Sequence, residues 1–473
     1  MNKKNMILSL ANKHYNDIVS VNDTIWEYAE PGMKEYKSAG FYEDFFKQKG
    51  FEVKSGVGGV PTAFVASWGE GEPVVGFLGE FDALPTLSQE AACAEKKPLV
   101  DGAYGQGCGH NSLGAGAAGA ALIFRDYLKE NDIKGTVRYY GCPGEEYGSG
   151  KVFMARDGLF DDLDVCLTWH PGDMNRVCAT SSLACISVFF EFRGVAAHAA
   201  GNPHLGRSAL DAAELMSVGV NYLREHVIPE ARIHYAYVNA GGIAPNVVHD
   251  HAVVNYFVRA PKIKQAREIY ARVCDVAEGA AKMTGTTMNI RFHEALCDYN
   301  PNRTLETLMQ KAFEEIGSPS FDEDDLKLAQ KFRNTFTPAD IEDIKKSLAD
   351  MEIDPELIPE SEILHSGILP YKPLSKAMPG STDVGDASYC APTAQINVAT
   401  VALGTPGHSW QMTAQSRSGM AYKGTVTAAE VMALTAAMAI EDKELLKKAK
   451  EELIKTTGGK YECPIPADHK PLL

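Results

Sequence analysis

The stretch Thr136-Val137-Arg138-Tyr139-Tyr140-Gly141-Cys142-Pro143-Gly144-Glu145-Glu146 decides the fold class of this 473-residue chain. Its first five residues are mainly β-branched and aromatic, which is typical of a buried strand. Two glycines and a proline end the strand, and two carboxylates follow directly. Ionisable side chains at the carboxyl end of a strand are the arrangement by which open α/β sheets bind ligands.

Two further predicted strands end in the same way. Residues 164–169 form an apolar run followed by His170, and residues 396–403 are followed by a glycine–proline turn and His408. A fourth segment, Gly105-Gln106-Gly107-Cys108-Gly109-His110, precedes an Ala/Gly-rich helix. Because the carboxyl ends of parallel strands meet at one edge of a sheet, we expect these segments to line one site.

The order of the predicted elements divides the chain into two domains. Up to about residue 182, strands and helices alternate, as in a layered α/β sheet. The next segment has the β-α-β-β-α-β order of a ferredoxin-like fold, with elements predicted at residues 184–192, 208–226, 232–239, 252–259, 263–283 and 287–292. We therefore predict an α/β, mixed-sheet catalytic domain formed by residues 1–182 and 294–473, with an α+β domain inserted at 183–293.

Composition excludes several classes of protein. The formal net charge of -16 argues against nucleic acid or an anionic membrane surface as a partner. No apolar run approaches the roughly 20 residues that cross a bilayer, and the N-terminal apolar run is too short for a signal peptide. The ten cysteines lack the spacing of a disulfide framework. A cytoplasmic location is the prediction.

The predicted site combines one thiol, two carboxylates and three imidazoles. This set suits Zn²⁺ and tolerates Mn²⁺, Co²⁺ or Fe²⁺, but it does not suit Ca²⁺. It is too large for one catalytic zinc, and two ions about 4 Å apart fit the count better. Two such ions activate a water and stabilise the oxyanion of amide hydrolysis, and one glutamate is left as general base.

Each of these sequence segments also has a purely structural interpretation. Taken alone, the Cys-Gly-His stretch fits a packed turn, Glu145-Glu146 a solvated helix start, and His170 a histidine of the core. The two-residue spacing does not favour Cys108 as a nucleophile with His110 as its base, because no orienting third group is evident. The combination of all four segments at strand ends and glycine turns favours a metal site.

Several motifs resemble metallopeptidase family 20, in the subgroup of amidohydrolases that cleave N-acyl and aminobenzoyl amino acids. The similarity extends over nearly the whole chain. The motifs that carry it are Gly79-Glu80-Phe81-Asp82-Ala83-Leu84-Pro85, Gly107-Cys108-Gly109-His110-Asn111, Gly141-Cys142-Pro143-Gly144-Glu145-Glu146, Trp169-His170-Pro171, Ala196-Ala197-His198-Ala199-Ala200, Pro203-His204-Leu205-Gly206-Arg207-Ser208-Ala209, Ser381-Thr382-Asp383-Val384-Gly385-Asp386 and Gly404-Thr405-Pro406.

The resemblance implies an activity and a role for each residue of the site. The implied activity is hydrolysis of an N-acyl amino acid, with aminobenzoyl-glutamate as the best single substrate. The implied cofactors are two divalent transition metal ions, Zn or Mn. Glu145 would be the general base, and Asp82 would orient a ligand. The implied metal ligands are Cys108, which would bridge the ions, His110, Glu146, His170 and His408.

The resemblance also implies that the inserted domain is a lid that forms a dimer. His198 would polarise the scissile carbonyl, either in its own chain or in a partner. Asn246 and Arg259 would hold the substrate carboxylate, a task that suits a guanidinium fork. The implied assembly is a homodimer, or a heterodimer with a paralogous A subunit. Without the resemblance, His198 and Asn246 also fit turns, and Arg259 fits a surface ion pair.

Two departures from the family pattern are visible. Many relatives have aspartate where this chain has Asn111, and many lack the acidic segment 318–369, which we interpret as a solvated helical face. Two other functions fit the same residues. One is a dipeptidase or another N-acyl-amino-acid deacylase, and the other is a subunit that is active only with a paralogous partner.

Overall fold

A computed structural model describes residues 2–471 of the chain. Its strands are β1 (Glu52–Ser55), β2 (Phe64–Glu70), β3 (Val74–Gly79), β4 (Gly135–Gly141), β5 (Val165–Gly172), β6 (Arg176–Val177), β7 (Ala184–Arg193), β8 (Ala197–His198), β9 (Arg232–Asn239), β10 (Val247–Val248), β11 (His251–Ala260), β12 (Thr287–Leu296) and β13 (Thr393–Ala399).

The helices surround two separate sheets. They are α1 (Lys3–Tyr28), α2 (Tyr36–Gln48), α3 (His110–Glu130), α4 (Gly150–Arg156), α5 (Ala209–Leu223), α6 (Ile263–Thr284), α7 (Arg303–Ile316), α8 (Glu323–Arg333), α9 (Pro338–Asp350), α10 (Val384–Cys390), α11 (Trp410–Gln415), α12 (Gly419–Ala439) and α13 (Lys443–Thr457). Short 3-10 helices lie at Val57–Gly59, Pro203–Leu205, Arg224–His226 and Pro355–Leu357.

The larger sheet has seven strands in the order β1-β2-β4-β3-β5-β13-β6. Its four central strands, β4, β3, β5 and β13, are parallel to one another. Their carboxyl ends therefore meet at one edge of the sheet, as the sequence predicts. The predicted mixed α/β fold is confirmed.

Burial on both faces explains why the central strands are apolar. Every residue of β3 is buried, and α3, which packs against this strand, is buried over most of its length. Helices α1 and α12 pack on the other sides of α3. A parallel sheet covered by helices on its faces is expected to have such continuous apolar strands.

Strands β13 and β5 of the larger sheet differ from their predicted boundaries. Strand β13 ends at Ala399 instead of residue 403, although Val401, Ala402 and Leu403 are buried. Ala402 and Leu403 pack beneath the acidic segment, and the Leu403 amide donates to Ile363 O at 2.8 Å. Strand β5 continues to Gly172 and so includes His170.

The second sheet has the predicted ferredoxin-like connectivity. Its order is β12-β7-β11-β9, and all neighbouring strands are antiparallel. Helices α5 and α6 pack against each other and against this sheet. The last strand extends to Leu296, beyond the predicted boundary at residue 293. The pair β8–β10 lies outside this sheet.

The acidic segment 318–369 is more than a solvated surface. Helices α8 and α9 expose most of their charged residues but bury Phe332 and Leu348. Phe332 packs near Ala402, and Leu348 packs with Leu403. The segment therefore covers the chain that leads from β13 to His408.

No single helix within residues 2–471 is long and apolar enough to cross a membrane. Helices α12 and α13 meet the length and composition criteria only as a pair, and the chain bends by 102° between them.

Candidate metal centre

Cys108 lies in a tight turn that leads into α3. Gly109 has a φ of 80°, and a Cβ atom there would lie 2.8 Å from Pro171 Cγ, so only glycine fits without strain. His110 is the first residue of α3. The turn places Cys108 Sγ 3.4 Å from His170 Nε2, at the end of β5.

Cys108 belongs to two groups of potential ligands at once. In one group its thiol sulphur lies with a nitrogen of His110 and one of His170, and all three atoms are within 4.8 Å of one another. In the other group it lies at the same spacing with Glu146 and His408. One thiol shared by two triads offers ligands for two neighbouring ions.

Asp82 orients members of both groups. Its Oδ1 accepts a hydrogen bond from His110 Nδ1 at 2.8 Å, and its Oδ2 accepts one from the Glu146 amide at 3.0 Å. The carboxylate is buried. A carboxylate on the far nitrogen of a histidine fixes the tautomer and ring orientation of a metal ligand.

The other two histidines are also fixed by the backbone. His170 Nδ1 lies 2.8 Å from Pro171 O, which leaves Nε2 directed toward Cys108. His408 adopts a left-handed φ of 51° and donates its amide to Gly107 O at 3.0 Å. A left-handed non-glycine residue costs on the order of 1 kcal/mol and is frequent at functional sites. His408 Nε2 lies 3.1 Å from Glu146 Oε1.

Charge separation stabilises a thiolate in this group. Burial raises the pKa of the Cys108 thiol, but the imidazoles of His110 and His170 outweigh it and hold that pKa well below its ordinary value. Hydrogen bonds to Cys108 and Glu146 raise the pKa of His408 to about 10. The thiolate is the form of cysteine that binds metals.

The donor set fits divalent transition metal ions. His110 Nε2 is buried and makes no hydrogen bond within the described residues, where Glu80 Oε2 is a charged neighbour at 3.3 Å. Buried polar atoms without a hydrogen bond are rare, and a bound ion would satisfy this one. Thiolate, imidazole and carboxylate together select transition metals over Ca²⁺.

Glu145 lies beside the triads without belonging to either. Its carboxylate forms a third close group with Glu80 and His110. Burial and the negative charge of Glu80 raise the pKa of Glu145 well above its ordinary value. A carboxyl group with a raised pKa is suited to accept and return a proton near neutral pH.

Two buried carboxylates in this region were missed by the sequence prediction. Glu80 directly follows β3, and the position of this residue at a strand end was the available signal. Glu35 lies just before α2 and follows no predicted strand, so its sequence position did not indicate a place in the site. Its Oε1 accepts a hydrogen bond from the Gly144 amide at 2.7 Å. Burial and the charge of Asp82 raise the pKa of Glu35 to about 8.

The structure brings His198 and Asn246 together, away from the triads. Strand β8 pairs with β10 so that His198 faces Val247, and the Ala199 amide donates to Asn246 O at 2.9 Å. Both side chains are exposed. Within residues 2–471, neither is joined to the triads by a hydrogen bond or an ion pair.

The tautomer of His198 is set by its own turn. Its Nδ1 accepts hydrogen bonds from the amides of Ala200 and Gly201 at 3.2 and 3.1 Å. In the neutral ring, the proton therefore resides on Nε2, which is free to donate. This arrangement provides an exposed hydrogen-bond donor on the β8–β10 pair.

Arg259 lies on β11 and contacts the segment that precedes α10. Its Nη1 donates to Ser381 Oγ at 3.1 Å, and its guanidinium lies 5.6 Å from the ring centre of Phe257. Its Nε is buried without a hydrogen-bond partner among the described residues. The side chain therefore retains capacity to bind an anion.

Asn111 has a structural role in place of the aspartate of many relatives. Its Nδ2 donates to Asn22 Oδ1 and to Ser416 O, each at 3.0 Å. These contacts attach the start of α3 to α1 and to the residue after α11. His110 is oriented by a different residue, Asp82, at 2.8 Å.

Comparison with known proteins identifies the family of the chain. Residues 76–467 match the family described as Peptidase family M20/M25/M40. The chain is 43% identical over 464 residues to the B-type subunit of p-aminobenzoyl-glutamate hydrolase from Escherichia coli (strain K12), covering 97% of this chain and 96% of that protein. It is 31% identical over 319 residues to Xaa-Arg dipeptidase of Mus musculus, covering 64% and 69%.

A solved structure has the same fold. The Bacillus subtilis YXEP protein, described as a dinuclear metal binding peptidase from the M20 family, superposes with a TM-score of 0.57 at 16% identity, covering 91% of this chain and 99% of that one. The predicted hydrolase class and the prediction of divalent metal ions are supported by the family match. This chain belongs to peptidase family M20/M25/M40.

Proposed function

We propose that this hydrolase cleaves the amide bond of N-acyl amino acids at a two-metal centre, with aminobenzoyl-glutamate as its substrate. The observation that carries the proposal is the position of Cys108 in two ligand triads, with Glu145 beside them and outside both. The ligands are Cys108, His110, Glu146, His170 and His408. Zn²⁺ and Mn²⁺ are the ions that suit this set.

Divalent ions at this position supply Lewis acidity, which activates a water and stabilises negative charge on the carbonyl oxygen. The Glu145 carboxylate accepts the proton of the attacking water. It then donates that proton to the leaving nitrogen, which departs as an amine. Asp82 holds His110 and the Glu146 amide in place throughout, because it bonds both.

The lid residues recognise the substrate. His198 Nε2–H donates to the scissile carbonyl oxygen, a role consistent with its tautomer. Arg259 and Asn246 bind the carboxylate of the amino acid, and the unpartnered Arg259 Nε is one donor for it. Within the described residues of one chain, His198 makes no hydrogen bond or ion pair with the triads, so this role requires either lid closure or a second chain.

The 43% identity over nearly the full length of the hydrolase subunit supports aminobenzoyl-glutamate as the substrate. A dipeptide substrate is the second candidate, favoured by the 31% identity to a dipeptidase. Both reactions use the same metals and base and differ only in the acyl pocket.

An assay of purified, metal-loaded protein distinguishes the two. Release of aminobenzoate from aminobenzoyl-glutamate is expected at a kcat/KM at least tenfold above that for an Xaa-Arg dipeptide or an N-acetyl amino acid. Chelation should abolish the activity, and Zn²⁺ or Mn²⁺ should restore it. A preference for the dipeptide would contradict the proposed substrate while leaving the reaction class intact.

We propose that residues 183–293 form a lid that also mediates dimerisation. Strand β9 is an edge strand that pairs, among the described residues, only with β11, and it exposes Tyr235, Tyr237 and Val238. An exposed apolar edge strand is a site for pairing with another chain. The partner is a second copy or a paralogous A subunit, and the place of action is the cytoplasm.

A further inference from the structure

A fully buried lysine lies behind the proposed base. Lys151 is the second residue of α4, and its side chain is 0% exposed. Its Nζ lies 2.6 Å from Glu80 Oε1 and 2.6 Å from Asp383 Oδ1. The same aspartate also accepts the Lys151 amide at 2.9 Å through Oδ2.

This cluster is poorly explained by stability alone. Its two carboxylates and one ammonium leave one net negative charge in the interior, and a buried ion pair is often no more stabilising than apolar side chains of similar volume. The remaining oxygen, Glu80 Oε2, lies 3.3 Å from His110 Nε2, which has no hydrogen bond within the described residues. Glu80 is thus shared between Lys151 and the metal site.

The cluster also closes the loop that carries Glu145 and Glu146. At the start of this loop, the Cys142 amide donates to Gly79 O at 2.8 Å, at the end of β3. At its other end, Lys151 bonds Glu80, the residue that follows β3. Both ends of the loop are therefore attached to the end of one strand, with Lys151 as the second attachment.

Asp383 extends the cluster toward the substrate side. It lies at the N-terminus of α10, two residues after Ser381, whose hydroxyl accepts a hydrogen bond from Arg259. The Asp383 carboxylate does not cap its own helix and instead binds Lys151 twice. The Lys151 ammonium therefore connects three parts of the site. They are the loop of Glu145 and Glu146, the Glu80 carboxylate beside His110, and the segment that contacts Arg259.

We propose that Lys151 is a positioning residue for the hydrolysis, which holds Glu80 against His110 and fixes the loop of Glu145 and Glu146. The inference rests on the proposed function. Lys151 touches neither water nor substrate in this account, and acts only through Glu80 and Asp383. Loss of a group that orients metal ligands typically lowers metal affinity or activity by roughly 10–100-fold.

Lys151→Met tests the inference through metal affinity as well as turnover. The Zn²⁺ affinity of the metal-free protein, measured by competition with a chromogenic chelator, should fall roughly 10–100-fold. The kcat should fall by a similar factor, while KM changes less than about threefold, because the ammonium does not contact substrate.

A matched control is available at another buried carboxylate. Lys262 Nζ lies 2.7 Å from Asp298 Oδ2, which is fully buried and distant from the triads in sequence and contacts. Lys262→Met removes an amine that bonds one fully buried carboxylate from a side chain that is 53% exposed, and it should lower thermal stability without changing Zn²⁺ affinity. Equal losses of affinity in both variants would show that Lys151 acts through stability alone.

A neutral variant keeps the inference testable if Lys151→Met does not fold. The triple substitution Glu80→Gln, Lys151→Met and Asp383→Asn removes every charge of the cluster, so folding is expected to survive. Its Zn²⁺ affinity and kcat should remain low, and recovery of both to wild-type levels would overturn the inference. A wild-type protein that binds no Zn²⁺ or cleaves no N-acyl amino acid would contradict the proposed function instead.

Discussion

Glu145 and Glu146 are neighbours in sequence with separate tasks in the proposed site. Glu146 belongs to a triad with Cys108 and His408, whereas Glu145 lies with Glu80 and His110. Neighbouring residues in the turn after β4 direct their side chains to different places, which allows one ligand and one base to share a loop.

Substitution of Glu146, but not of Glu145, should reduce the metal content of the protein. Glu145→Ala should keep the wild-type metal content and lower kcat by about 10²–10⁴-fold, because a general base is lost. Glu146→Ala should instead reduce the metal content. Elemental analysis and steady-state kinetics of both variants check this. Retained activity in Glu145→Ala would exclude it as the base.

His198 should affect turnover without affecting metal binding. The ring makes no contact with the triads within the described residues and offers only Nε2–H. His198→Ala should therefore lower kcat and leave the metal-to-protein ratio unchanged. A lower ratio in this variant would mean that His198 is a ligand and would contradict its proposed role.

At the scale of elements, strand ends were the predictable part of the site. Glu146, His170 and His408 each follow an apolar run, and their sequence positions therefore report their place at the edge of the sheet; Cys108 and His110 were marked instead by the glycine turn before α3. The group of Glu80, Lys151 and Asp383 was not predicted as a unit. Its contacts depend on how α4 packs against α10 and on the position of Glu80 just after β3, and no sequence period reports that arrangement.

The same limit applies to the ends of the elements. The apolar run 396–403 predicts one strand, but its last residues are buried beneath α8 and α9. Burial by another segment and burial in a sheet produce the same apolar pattern. The ferredoxin-like order was predictable because six elements of the right length follow one another with clear breaks.

The contact between α1 and α3 should make stability depend on pH. Asp126 on α3 accepts hydrogen bonds from Lys13 at 2.7 Å and His14 at 2.9 Å. Burial opposes the charge of Asp126, but these bonds hold the pKa of its carboxyl below the ordinary value. The stabilisation is therefore present above the unfolded pKa of about 4 and is lost as the pH falls below it.

Asp126→Asn should lower the free energy of unfolding by about 1–3 kcal/mol at pH 7. The difference from the wild type should shrink as the pH falls below about 4. Urea unfolding at several pH values measures this. Asp44→Asn, on an exposed ion pair with Lys47, is the control and should change stability far less. A constant difference at all pH values would contradict the assignment.

At the scale of the whole molecule, the lid is expected to complete the site of a partner. If His198 acts across a dimer, a mixture of His198→Ala and Glu145→Ala subunits forms some sites that hold both intact residues. Such a mixture should regain up to about a quarter of wild-type activity, since random pairing makes half of the dimers mixed, each with one intact site. Mixtures of two preparations of the same variant are the control. No recovery in a mixture that exchanges subunits would assign His198 to its own chain.

The shared position of Cys108 is the central feature of the account, because two triads that use one thiol predict two ions. Elemental analysis of the wild type, His110→Ala, His408→Ala and Cys108→Ala tests it most directly. We expect two transition metal ions per wild-type chain, about one in each histidine variant, and none held tightly by Cys108→Ala. A single ion in the wild type, or two ions retained by Cys108→Ala, would contradict the two-metal centre.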